Sequence, residues 1–545
     1  MKKIALFLFL ISMLVAACGT QRSVDDGRIP TIQPSLTAVP HITSTPPPHI
    51  DVPAVEPVDW TDVARYAPAM RDDYVSDIDD WVDGDRYYIE ANLEFTPTAA
   101  VITGSQRVRF VNDTGDTLND IVFRLYPNSP DLGGRMRIYD VTIDDQAVEG
   151  TYEGRDTVFR IPLTEPLETG SIVEIVMDFI TITERGLNSS YGRYTFINDH
   201  LTIEGWYPPL AVYENGAWWT VAHLSGATDP HYIETALYEV FMTLPEGMPF
   251  QISGVIINEV DNGDGTVTKQ IVTGPMRYSF IAAGGDMGTI SEVADGTTVN
   301  VYYLPGDERG AEWVLEVGVN SLKAFNEAYI DYPYSELDIV ENVTPTGVEF
   351  PGLVIINKEN WQAGNLTVEM TTAHEVAHQW SYALVHNDQP NHLWIDESLT
   401  SFSESTYLRY VYGEDSQRVA DYIQNSRSAY NFFRGSPGAV DFPMNTPADT
   451  LNQYPGGIGF VVYVKGRVFY TELRELIGPE AFMKGLRSYF AENKYGIVNS
   501  GEMIQHMEAA SGRELDAFFY EWVGDFEGLD PEVKAQIDGE NQRQN

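Results

Sequence analysis

His374, Glu375 and His378 form the pattern H-E-x-x-H, and eighteen residues lie between His378 and Glu397. No other stretch constrains the fold as much. Two histidines four apart on a helix project from one face, one turn above the other, so a single divalent ion can bridge them. Glu375 is turned about 100° around the axis from His374. It lies near such an ion without being forced onto it. No Pro or Gly interrupts the stretch Thr367–Val385, and Val368, Met370, Ala373, Val376, Ala377, Trp380 and Ala383 can supply an apolar side. A helix is therefore expected over Thr367–Val385. Glu397 opens a second helix-like run, ESLTSFSESTYLRYVYG, beyond a loop containing Pro390. Two antiparallel helices joined by that loop would carry its carboxylate to the same ion. Two imidazoles and one carboxylate leave a coordination position open, which is the layout of a catalytic zinc site. Asp396 can hydrogen-bond a ligand imidazole. The expectation is one Zn2+ on His374, His378 and Glu397, with Glu375 as base.

Composition narrows the alternatives. Cys18 is the only cysteine, so no intramolecular disulfide can form and the metal ligands must be His and carboxylate. The other eight histidines form no pair at comparable spacing; His386 and His392 bracket the loop and read as its polar groups. With 80 acidic and 34 basic residues the formal charge is -46. That surface excludes nucleic-acid binding, which needs stripes of Lys and Arg.

The N-terminus, MKKIALFLFLISMLVAACGT, has a basic start and an apolar run too short for an ordinary membrane span. Residues 1–17 read as a signal peptide. Val15-Ala16-Ala17-Cys18 resembles a bacterial lipobox, which implies lipidation at Cys18 and an extracytoplasmic, lipid-anchored location. Residues 18–57 are rich in Pro and Thr and lack hydrophobic periodicity, the composition of a disordered tether. Residues 58–304 alternate apolar and polar with turn signals at Asn215-Gly216 and Asp264-Gly265, so a β-rich, antiparallel, sandwich-like domain is expected. Asp261-Asn262-Gly263-Asp264-Gly265 reads as a hairpin turn rather than a calcium loop. The aromatic stretch Gly205–Trp219 reads as packing. From about 305 to 530 the period becomes helical, and 531–545 reads as a polar tail.

These residues together resemble the M1 family of gluzincin metallopeptidases, the aminopeptidase N group. The family's H-E-x-x-H-x18-E falls on His374, Glu375, His378 and Glu397. Its W-L-N-E-G-F-A segment falls on Trp394–Thr400, with Asp396 in place of Asn. Thr346-Gly347-Val348-Glu349-Phe350 stands where the family has G-A-M-E-N, and Tyr463-Val464-Lys465-Gly466 matches Y-x-K-G. The resemblance implies a β-rich saddle domain followed by a mainly helical, thermolysin-like zinc domain. It implies that Glu349 binds the free α-amino group of a peptide and that Tyr463 donates a hydrogen bond to the oxyanion. It also implies that Glu404, seven residues after Glu397, supports a ligand. Phe350-Pro351 departs from the family, and WYPPLAVYE replaces its P-C-x-D-E-P-like segment. The implied activity is removal of N-terminal residues from peptides. A zinc endopeptidase would share the chemistry without needing Glu349. A non-catalytic surface-binding lipoprotein is the third reading, against which the intact set of base, three ligands and Tyr463 speaks.

Overall fold

Alternation of buried and half-buried residues marks the two long central strands, Ala99–Val111 and Ile172–Glu184. In the computed structural model, which describes residues 58–187, 192–221, 229–343 and 347–544, they pair antiparallel along their whole length, from Ala99 opposite Glu184 to Val111 opposite Ile172. Cys18, the signal segment and the tether lie outside the described residues. The two strands centre an eight-stranded sheet, whose order is Val255–Asp261, Thr266–Val272, Leu237–Pro245, Arg86–Phe95, Ala99–Val111, Ile172–Glu184, Gly134–Ile143 and Gln146–Ala147. The sheet departs from the antiparallel expectation at one pair. Arg86–Phe95 runs parallel to Leu237–Pro245. About 140 residues separate these strands in the chain, ample for the crossover that parallel neighbours require.

The turn signals act as read. Asn215 and Gly216, at φ 52° and 77°, close a two-residue hairpin between Tyr213–Glu214 and Ala217–Trp218, since two consecutive positive φ values match the twist of the flanking strands. In the loop after Val255–Asp261, Asp261 accepts from Gly263 N and Asp264 from Thr266 N. Those carboxylates are used to close a turn. Trp206 and Tyr207 are fully buried and pack edge to face, with centroids 5.0 Å apart.

A five-stranded sheet carries the helical part. Its order is Gly288–Ala294, Thr297–Tyr303, Glu336–Asn342, Leu353–Asn357 and Val348–Phe350. The first two strands precede the sequence boundary at 304, yet Thr298–Tyr302 pair in parallel with Glu336–Val340. Strand periodicity does not say which sheet a strand joins. The helix Glu308–Ala328 is the crossover between these parallel strands, and it packs closely: a Cβ on Gly318 would stand 2.5 Å from Ile339 Cδ1. The remainder is mainly helical. Pro531–Gln544, read as a polar tail, forms a helix; Pro531 opens it, a position where proline's missing N–H costs nothing, and Asp530 accepts from Glu532 N at 2.7 Å.

One apolar core runs through both parts. Phe280 of the β-rich part stacks on Phe350 at a centroid distance of 3.6 Å, and Tyr238, Val348 and Leu353 are buried in the same cluster. The strand that holds Glu349 is thereby clamped from the N-terminal side. Its hairpin turns at Pro351-Gly352, with Phe350 opposite Leu353 and Gly352 at φ 72°. Pro at the first turn position and Gly at the second suit a type II turn.

Candidate active site

The ligand helix begins at an asparagine cap. Asn365 lies outside the helix at φ -71°, ψ 119°, and its side chain accepts from Thr367 N and Val368 N. Such a cap contributes about 1 kcal/mol. The helix spans Leu366–Ala377, capped by His378, so its last residue falls eight short of the expected end at Val385. After His378 the bonding tightens, with Gln379 N on Val376 O and Trp380 N on Ala377 O. Tyr382 then takes φ 125°, a costly conformation for a bulky residue. Hydrogen bonds from its hydroxyl to Asp229 and Tyr278 fix it there. Gln379, directly after the second histidine, ties the helix to the neighbouring hairpin: its amide donates to Phe350 O at 2.9 Å and accepts from Gly352 N at 2.8 Å.

The second helix, Trp394–Tyr412, starts beside the first and places Glu397 in its first turn. Trp394 donates from its indole to Asn445 Oδ1 at 3.0 Å, which pins that start. Glu397 Oε2 is 3.2 Å from His374 Nε2 and 3.4 Å from His378 Nε2. The three ligand atoms lie within 4.8 Å of one another. Both Nδ1 atoms are engaged elsewhere: that of His374 donates to Glu404 at 3.0 Å, and that of His378 to Asp396 at 2.7 Å. When neutral, each ring is thus held in the tautomer whose unprotonated Nε2 faces the point shared with Glu397. Two imidazole nitrogens and one carboxylate oxygen on a common point suit Zn2+ in type and number. Sequence reasoning brought all five of these residues to one place.

The electrostatics fit a cation site. Burial disfavours an imidazolium, yet hydrogen bonds to Glu397 and Glu404 carry His374 up to about 9. His378 is likewise raised well above its usual value, because Asp396, Glu397 and Glu349 outweigh its burial. Glu397 is held well below the carboxylate range, its burial outweighed by His378 and His374. A field that draws protons onto imidazoles also draws a divalent ion. Burial pushes the Glu375 carboxyl up to about 8, with Glu349 adding to the rise and the two histidines opposing it. Glu375 is 6% exposed. A Cβ at Gly347 would sit 2.2 Å from Glu375 Oε1, so any side chain there would displace this carboxylate.

Glu349 is buried on the edge strand Val348–Phe350, and its carboxylate reaches within 4.8 Å of a His378 nitrogen. Tyr463 stands on a short wide helix, Gly459–Val464, of the kind that recurs at functional sites. Its hydroxyl donates to Glu397 Oε1 at 2.6 Å. The residue implied as oxyanion donor therefore rests on a ligand carboxylate.

Several supporting residues carried no sequence signal. Arg467 donates to Glu404 Oε1 at 3.0 Å and Tyr422 to Glu404 Oε2 at 2.7 Å. Gln389 donates to the free oxygen of Asp396. Each lies alone in its stretch of sequence, with no spacing to betray it. His386 and His392 stay outside the site, as read; His386 is buried against His231 O and His392 bonds Asn445.

Residues 313–522 match the model of the Peptidase family M1 domain. Aminopeptidase 2 of Candida albicans is 26% identical over 272 residues, which cover 47% of this chain and 29% of that protein. Alanine/arginine aminopeptidase of Saccharomyces cerevisiae is 27% identical over 240 residues, 41% of this chain and 27% of that protein. Aminopeptidase N of Lactococcus lactis subsp. lactis is 23% identical over 279 residues, 46% of this chain and 31% of that protein. The chain thus spans less than a third of the length of these curated relatives.

Proposed function

We propose that this chain is a zinc-dependent aminopeptidase that removes residues from the N-terminus of peptides. The observation that carries the reading is the convergence of His374, His378 and Glu397 with Glu375 beside them and Glu349 buried within 4.8 Å of a His378 nitrogen. The relatives named above are aminopeptidases, which supports the same class. His374, His378 and Glu397 would hold the zinc, which supplies Lewis acidity when bound. Glu375 takes a proton from the attacking water and later gives it to the leaving amine, a task that suits a carboxyl whose buried setting raises its proton affinity. Glu349 receives the substrate ammonium and so sets the register at the first peptide bond. Tyr463 turns its hydroxyl from Glu397 to the developing oxyanion, a contact made in the transition state rather than before it.

The test is Glu375→Gln. Turnover of an aminoacyl-coumarin should fall at least about a hundredfold while metal analysis still finds one zinc per chain. Undiminished turnover would remove Glu375 from its role. The endopeptidase alternative is separated by N-acetylation: a blocked substrate cleaved as well as its free-amine parent rules out exopeptidase action.

The same proposal extends to location. The apolar N-terminal segment ending in Cys18 supports a lipid anchor that holds the enzyme at an extracytoplasmic membrane surface. Among the described residues no helix is long and apolar enough to cross a membrane. Cys18→Ala should move the protein from the membrane pellet to the soluble fraction; an unchanged distribution argues against lipidation.

A further inference from the structure

Two hydrogen bonds cross between the helix that carries Glu397 and the wide helix that carries Tyr463, and the chemistry proposed above uses one of them. Tyr463 donates to Glu397 Oε1 at 2.6 Å. One residue along on each side, Ser398 Oγ donates to Val462 O at 2.7 Å. Ser398 directly follows Glu397 and Val462 directly precedes Tyr463, so the two bonds are neighbouring rungs between the same two helices. Both Ser398 and Val462 are fully buried. A wide helix uses i→i+5 bonds in place of i→i+4 ones, and here one of its carbonyls takes a donor from outside the helix. Contact is close just beyond this point: a Cβ on Gly466 would stand 2.3 Å from both Cβ and Oγ of Ser398. Gly466 lies inside the regular helix Lys465–Ile477, so it is a glycine for room rather than for conformation. Lys465 ties the same junction on another side, its Nζ donating to Asp441 Oδ1 at 3.0 Å and to Phe442 O at 2.7 Å. The Tyr463 ring stands beside that of His374, with centroids 6.0 Å apart.

We propose that Ser398 is a positioning residue for Tyr463: by holding the carbonyl of Val462 it fixes the backbone from which the Tyr463 hydroxyl reaches the developing oxyanion. The inference rests on the role given to Tyr463 above and deepens it. In that role Tyr463 gives up its bond to Glu397 as the oxyanion forms. The bond from Ser398 to Val462 O takes no part in that exchange. It keeps the wide helix in register at the moment when the neighbouring rung is lost. Placement of such a donor matters steeply, since an error of about 1 Å costs about a hundredfold in rate. Wide turns are rare in themselves, and a carbonyl left without its donor in a buried place is costly. Without the serine hydroxyl the turn is free to tighten toward ordinary α-helical bonding, which rotates the Tyr463 side chain about the helix axis. The pattern W-L-N-E-G-F-A has glycine where this chain has Ser398, so the bond lies outside the motif.

The experiment uses the full zinc-loaded protein and a free-amine leucyl-coumarin in steady-state kinetics, with Ser398→Ala, Tyr463→Phe and the two combined. Ser398→Ala should lower kcat about tenfold, less than the cost of a full misplacement. KM should stay within about twofold, because the contact is made in the transition state, and metal analysis should still find one zinc per chain. In the Tyr463→Phe background the same serine change should lower kcat by less than about twofold, since no hydroxyl remains to be placed. A serine that merely supports the fold would lower both backgrounds alike. Should Ser398→Ala fail to fold with the carbonyl unpaired, Ser398→Gly, which matches the motif, removes the same hydroxyl and carries the same expectation. An undiminished kcat on loss of the serine hydroxyl, or an equal loss in both backgrounds, overturns the proposal. Tyr463→Phe as active as the parent would instead overturn the role given to Tyr463, a result visible without any change at Ser398.

Discussion

Glu404 is not one of the three candidate metal ligands, yet under the proposed zinc chemistry its geometry should make it decisive for metal retention. It accepts from His374 Nδ1 at 3.0 Å, from Arg467 at 3.0 Å and from Tyr422 at 2.7 Å. Its carboxylate is held below the usual range because Arg467 and His374 outweigh its burial. It is therefore an ionised partner that raises the basicity of a ligand imidazole. Glu404→Gln keeps the shape and one acceptor but removes the charge. A charge-assisted hydrogen bond is about twice as strong as a neutral one, so the loss at His374 is on the order of 1.4 kcal/mol, about tenfold in zinc affinity. Glu404→Leu also leaves His374 Nδ1 and Arg467 without an acceptor in a buried place, and should cost about a hundredfold, at the upper end for such partners. Zinc affinity is measured by competition against a chromogenic chelator, independently of turnover. Activity of Glu404→Gln should recover at saturating zinc. Both variants holding zinc as tightly as the parent, or Glu404→Gln staying inactive when fully loaded, would refute the reasoning.

Three further outcomes follow from the same geometry. Gly347→Ala puts a Cβ against Glu375 Oε1 and should lower kcat about a hundredfold, the cost of misplacing a reacting group by about 1 Å, with zinc content unchanged on metal analysis. Tyr463→Phe should lower kcat by about a hundredfold or more with little change in KM, measured by steady-state kinetics on a free-amine substrate, since the contact is made in the transition state. Glu341, buried and accepting from Leu304 N at 2.7 Å, is pushed by burial up to about 8. Its raised folded value means that the stabilisation is full at acid pH and is lost as pH climbs from about 4.5 through 8. Urea midpoints of the parent should accordingly fall between pH 6 and pH 8.5 relative to Glu341→Gln; parallel profiles would contradict this.

The local part of the site was legible because helical spacing is a geometric statement. A spacing of four positions from His374 to His378 fixes two imidazoles on one face whatever surrounds them, and Glu397 with Asp396 needs only a second helix starting nearby. Helix length was less legible. The apolar run to Val385 looks helical, but the chain leaves the helix at His378, because Tyr382 is drawn by its hydroxyl to Asp229 and Tyr278 of the other part of the molecule. That is a tertiary contact overriding local propensity. Sheet membership was hidden for a similar reason: Thr297–Tyr303 has the pattern of a strand, and only its hydrogen bonds to Glu336–Val340 join it to the sheet that carries the helical part. Arg467, Tyr422 and Gln389 were invisible, since each acts through one side-chain contact.

The largest gap between sequence and structure concerns which half of the chain makes the site. The motifs lie between Glu349 and Tyr463, and they suggest an active site owned by the C-terminal part. Yet the strand carrying Glu349 is packed on Phe280, and the cation facing Glu349 is Arg193, more than 150 residues earlier in the chain. Tyr382, four residues after His378, donates to Asp229 of the β-rich part. Removing the β-rich part would therefore strip the hairpin bearing Glu349 of its apolar support and expose the carboxylate to water, where an ion pair with an ammonium is worth little. The motif residues converge in the C-terminal part; the setting of Glu349 among them is shared by residues that no motif contains.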